Sequence, residues 1–189
     1  MILILALGIG LIIGLIRAKG LGQPYQPPRL KHTWLAIVAF LPQFFVTYFE
    51  RTQALIPDRL STLAIVTSQG LLLLFAWFNR HMPGMLVLII GIILNFIVML
   101  ANGGFMPINP QTAERVVGIE RISSIELGSR IGHKDILLPI NETRLELLAD
   151  RFLPPARFPY QVAFSMGDIF IAVGACWILA YQKPILRSI

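Results

Sequence analysis

Apolar residues gather in five long stretches, at residues 1–16, 34–49, 60–78, 84–101 and 161–181, separated by polar connections. A hydrocarbon core about 30 Å thick calls for roughly 20 helical residues, with tilt and local thinning accommodating departures from that length. The pattern predicts an all-α fold. It is a five-helix transmembrane bundle, one integral membrane domain over residues 1–189, with a partly helical extracytoplasmic loop at 102–160 between the fourth and fifth helices. Trp34, Tyr48, Trp77, Tyr160, Trp177 and Tyr181 fall near the ends of these stretches, where an aromatic belt meets the lipid headgroups. Pro42 is expected to bend the second helix. Gly10 and Gly14 form a GxxxG spacing in the first helix, with Gly8 on a nearby face, and Gly167 and Gly174, with Ala172 and Ala175, thin parts of the fifth; both patterns suit close helix contact.

The short connections fix an orientation. The first stretch lacks a basic region before it and a small-residue cleavage site after it, so it reads as an uncleaved anchor rather than a signal peptide. Arg17, Lys19, Arg29 and Lys31 follow it, which holds that side in the cytoplasm and places the N-terminus outside. Alternating from there, the inner connections carry Arg80, Lys183 and Arg187 with no acid, whereas Arg51 and Arg59 outside are matched by Glu50 and Asp58. The expected location is the bacterial cytoplasmic membrane, multi-pass, with the C-terminus inside.

Composition agrees with lipid as the solvent. Apolar residues make up 56% of the chain and charged residues 14%, with a mean hydropathy of +0.71; soluble domains carry about 25% charged residues. The net charge of +6 is dispersed over short connections and forms no stripe able to track a phosphate backbone, so nucleic acid is not an expected partner. The single cysteine, Cys176, lies in an apolar run. It cannot form a disulfide within the chain or build a zinc or iron–sulfur site alone. No P-loop, H-E-x-x-H or G-x-S-x-G spacing occurs, and no cofactor or metal is expected.

Polar residues within the apolar stretches carry the candidate chemistry. Asp168 is the one acid inside a stretch, roughly 10 Å below the outer boundary at 1.5 Å per residue. Counted from the outer ends of their own helices, Gln43, Gln69 and Asn95 reach similar heights, with Thr67 and Ser68 beside Gln69. If these side chains face inward they form one polar layer. Amides and hydroxyls in membrane helices mostly join helices through hydrogen bonds, and the same layer could instead floor an outward-facing ligand cavity. Asp168 is the residue for which the two readings weigh evenly.

The loop opens with Asn102-Gly103-Gly104 and Pro107, a helix stop whose exposed amides could also cradle an anionic or carbonyl group. Asn109 is expected to cap a helix beginning at Pro110 and ending at Gly128, and a second short helix is expected from Asn141, with Leu145, Leu148, Ala149 and Phe152 at helical spacing. Pro154, Pro155 and Pro159 then lead extended chain back to the membrane. His133, beside Lys134 and Asp135, is the one outer histidine; an acid–base role with Asp150 or Asp168 would need a contact the sequence does not supply.

The run Ala101-Asn102-Gly103-Gly104 with Met106-Pro107, and the run from Ser165 through Gly167-Asp168 to Gly174, resemble the signature of a family of small bacterial membrane proteins of unknown function. The resemblance extends over the whole chain, including residues 143–155. It implies the five-helix plan, marks Asn102, Gly103, Gly104, Met106, Pro107, Gly167 and Asp168 as matching positions, and implies no activity.

Two functions follow as expectations. The favoured one is a non-enzymatic accessory or assembly subunit of a larger membrane complex, partnered by the bilayer and by other membrane subunits. The alternative is a membrane enzyme or carrier that binds an amphiphile, a quinone or lipid headgroup, near Asp168. A proton pathway is weaker, because the inner half of each stretch lacks ionisable residues.

Overall fold

The computed structural model describes residues 2–48, 57–132, 134–158 and 160–184, with side chains given outside 43–48. It is mostly helical: α1 (Ile2–Gly20), α2 (Thr33–Tyr48), α3 (Asp58–Phe78), α4 (Met85–Ala101), the short α5 (Pro110–Val117) and α6 (Ile119–Ile122), and α7 (Met166–Ala180). Each of the five apolar stretches holds one of these longer helices. Among the described residues, however, only α1 and α3 are long and apolar enough to cross a membrane unaided. The expectation of five such spans is corrected on this point. α7 begins at Met166 rather than near residue 161 because Ser165 caps it, and at 1.5 Å per residue its 15 residues reach about 22 Å. Only 22% of the apolar window of α1, and the same share of α3, is buried. The core helix of a water-soluble domain would be mostly buried.

Among the described residues the helices form an open row, in the order α1, α7, α4, α3, α2, where the sequence suggests a bundle. α1 and α7 run parallel, Gly10 meeting Cys176 and Gly14 meeting Leu179; α7 and α4 run antiparallel, as do α4 and α3. Gly10, Gly14 and Ala18 are the buried stripe of α1. A Cβ at Gly10 would lie 2.6 Å from the Cys176 carbonyl oxygen, so the GxxxG spacing serves contact within the chain. Gly10→Ile should therefore destabilise the protein by about 1–3 kcal/mol through overpacking. Gly8→Ile, which enters open space, should not; melting both variants in one detergent makes the comparison.

Row order explains the connection between α1 and α2, which must travel from one end of the row towards the other. Gln26 and Gln182 exchange hydrogen bonds beneath α7, Leu30 packs against a core of Ala76, Met85, Ile89, Ile92 and Ile178, and the buried Asn79 side chain bonds both the amide and the carbonyl of Lys31. This end of the row carries Arg17, Lys19, Arg29, Lys31, Arg80 and Lys183 with no acid.

The opposite end bears a cap. Asn109 accepts from the Thr112 amide at 2.8 Å and Pro110 opens α5 as expected, but Gly118, not Gly128, ends it, with φ of +89°. Three strands unforeseen in the sequence follow the order β1-β3-β2: β1 (Met106–Ile108) lies parallel to β3 (Asp135–Leu137), and β2 (Arg130–Ile131) antiparallel to it. The fold class becomes mostly helical with a small sheet. These strands are two or three residues long, and β1 is buried at every position, so no alternation betrays them. The helix expected from Asn141 is reduced to one 3-10 turn at Glu146–Leu148, where Leu145 takes a left-handed φ of +56°. Ile108, Ala113, Ile131 and Leu137 form the cap's own core, and Phe105 and Met106 pack with Ile65, Val98 and Met99 to seat it on the helices.

Candidate functional site

The cap meets the helices at the first turn of α7. Ser165 Oγ accepts from the Asp168 amide at 3.0 Å, and the Ser165 amide donates to Asp168 Oδ2 at 3.1 Å, a reciprocal capping box. Asn95 of α4 completes the arrangement, its Nδ2 donating to Asp168 Oδ1 at 2.8 Å and its Oδ1 accepting from Ser165 Oγ at 2.7 Å. A Cβ on Gly167 would collide with the Asn95 amide, so only glycine lets Asn95 lie across the helix start. Asp168 is therefore in the first turn of its helix, and the expected depth within a longer span is corrected. There the aligned amides favour a carboxylate, and both of its oxygens already accept hydrogen bonds.

The expected polar layer is only partly assembled. Asn95 and Asp168 meet. Gln69 is half-buried on α3 and no hydrogen bond joins it to either among the described residues. Ser68, buried, instead donates to the Ala39 carbonyl and ties α3 to α2. The side chain of Gln43, and His133 altogether, lie outside the described residues. Asn102 exchanges hydrogen bonds with both the amide and the carbonyl of Arg144, at 3.0 and 2.8 Å. Gly103 and Gly104 have φ of +78° and +94°. The Asn102 and Gly104 amides are taken by the carbonyls of Val98 and Met99, so the turn closes α4 rather than cradling a ligand through them. Thr62 of α3 donates to the Gly103 carbonyl.

Beside this joint lies a charged group that sequence reasoning missed. Lys134 Nζ is 2.8 Å from Asp150 Oδ2 and 3.7 Å from Asp135 Oδ1; Asp150 is 1% exposed, Lys134 33%. Backbone bonds hold the group together, the Met106 amide donating to the Lys134 carbonyl and the Asp150 amide to the Pro107 carbonyl. Burial pushes the Asp150 carboxyl up to about 6, against the pull of Lys134 and with the negative charges of Asp135 and Asp168 adding to the rise. Burial raises Asp135 likewise. Lys134 is held above its ordinary range: desolvation opposes its charge, but Asp135, Asp150 and Asp168 together outweigh it. Asp135 Oδ1 and Asp150 Oδ1 are buried with no hydrogen-bond donor among the described residues. The sequence placed Lys134 and Asp135 beside His133 and named Asp150 only as an acid–base partner for that histidine; it gave no sign that Lys134 and Asp150, 16 positions apart in a loop of mixed charge, would pair.

Residues 28–180 match a family of unknown function (DUF5317). The chain belongs to that family. The DUF5317 match takes in the Asn102 turn, the charged group and the α7 cap, and begins after α1, short of the whole-chain resemblance suggested by the motifs. No curated protein and no solved structure matches the chain.

Proposed function

We propose that this DUF5317 chain is a non-enzymatic accessory or assembly subunit of a larger complex in a bacterial cytoplasmic membrane. In this reading all five apolar helices enter the bilayer, the shorter ones through local thinning, with the cap and the N-terminus outside and the basic end in the cytoplasm. Large apolar side chains stand exposed on every helix of the row, among them Ile4, Phe40, Leu63, Ile90 and Val173. Contiguous apolar surface of that extent is foreign to a protein surrounded by water.

The observation that carries the subunit reading is the open row. α1 packs on α7 and α2 on α3, which leaves one flank of each terminal helix without a helical neighbour among the described residues. Capture of Asp168 within its own capping box further supports this reading over an amphiphile site, which needs that carboxylate free. Purification in a mild detergent should recover a stoichiometric membrane partner. Isolation as a lone monomer in several detergents and from native lipid particles would overturn the proposal.

A further inference from the structure

Two open grooves flank the last turn of α1 at the basic end. One, of about 440 Å³, is lined by Leu15, Ala18, Lys19, Gly22, Gln23 and Tyr25. The other, of about 480 Å³, is lined by Arg17, Gly20, Leu21, Tyr181, Gln182 and Pro184. Hydrogen bonds tie the segment after α1 to the end of α7 and the residues that follow it. Gln23 and Gln26 donate to the Lys183 carbonyl, the Gln26 amide donates to Gln182, and the Tyr25 hydroxyl donates to the Leu179 carbonyl.

Each groove holds a cation at the foot of an exposed apolar stripe. Residues four apart lie on one helix face, so Leu11 and Leu15 lead down α1 to Lys19, and Ile9 and Ile13 lead to Arg17; all six are exposed. Apolar track ending in a cation is the complement of an acyl chain ending in a phosphate. The rest of this end is basic and without an acid, which adds long-range attraction for a negative headgroup.

We infer that these two grooves are binding sites for anionic phospholipid, with the headgroup phosphate on Lys19 in one and on Arg17 in the other and acyl chains along the α1 stripes. This rests on the membrane reading above. Cations in the last turn also complement the helix dipole, and that role would not discriminate among lipids. Selectivity is therefore the readout.

The full chain, purified in a neutral detergent, would be titrated with phosphatidylglycerol or with phosphatidylcholine of identical chains and examined by native mass spectrometry. Phosphatidylglycerol should be favoured roughly fivefold at each groove, the ratio that corresponds to the ~1 kcal/mol contributed by one basic residue at an anionic surface. Lys19→Gln and Arg17→Gln should each remove one selective binding event, and both should fold, since neither side chain is buried. Equal retention of the two lipids, or unchanged selectivity in both variants, would overturn the inference. Full competition by soluble glycerol phosphate would overturn it too, by showing a phosphoester site indifferent to acyl chains. Release of the protein from membranes by alkaline carbonate would instead defeat the membrane reading, before any lipid is added.

Discussion

Lys134→Met should destabilise the protein by about 3–5 kcal/mol, the typical loss when one partner is removed from a buried ion pair. Asp150 is almost fully enclosed and Lys134 is its direct cation, so the substitution strands a carboxylate that burial already disfavours. A Lys134→Met/Asp150→Leu double variant should regain most of the loss, because exchanging both charges for apolar groups removes the desolvation penalty as well. Wild-type protein should show the same group in its pH profile. Asp150 is raised from 3.8 to about 6 in the fold, so the native state retains its proton more tightly than the unfolded chain. The contribution is full below about pH 4 and is lost as pH rises through 6. Asp150→Asn should flatten that slope. Denaturant melts in detergent across pH 4–7 would measure all of these, and a flat wild-type profile with a harmless Lys134→Met would refute the account.

Gly167→Val should be comparably damaging, about 3 kcal/mol or more, with loss of the native α4–α7 packing. Overpacking alone reaches about 3 kcal/mol. Here the new side chain meets the Asn95 amide and the Gly91 carbonyl, so it also breaks the bonds from Asn95 to Asp168 and Ser165. Gly70→Ala is the matched control. Gly70 lies in α3 with open space at its Cβ position, and alanine there should stabilise by about 0.5–1 kcal/mol. If the two substitutions melt alike, glycine at 167 is not required by close approach.

Asn95 and Asp168 illustrate how much of the candidate site could be read directly. Counting residues from helix ends placed them at one height, and they do bond. The same count put Asp168 too deep, because hydropathy runs unbroken through residues 161–165 while the helix waits for its cap at Ser165. Hydropathy reports what a segment is made of, whereas a cap depends on one hydroxyl and one carboxylate three positions apart. That Ser-x-x-Asp spacing was present in the sequence and would have moved the boundary.

Local chemistry alone determined the five apolar helices, the Asn109-Pro110 helix start, the two-glycine stop after α4 and the gathering of basic residues at one end. Each depends on residues within a few positions of one another, or on a running sum of polarity. Tertiary structure decided the order of the row, the parallel pairing of β1 with β3, the joining of Lys134 to Asp150 and the placing of Asn95 across the start of α7. Those outcomes turn on which distant segments become neighbours. Side-chain periodicity carries no record of that choice, because an apolar face packs against any complementary one, and an isolated charge gives no sign of the partner that will enclose it.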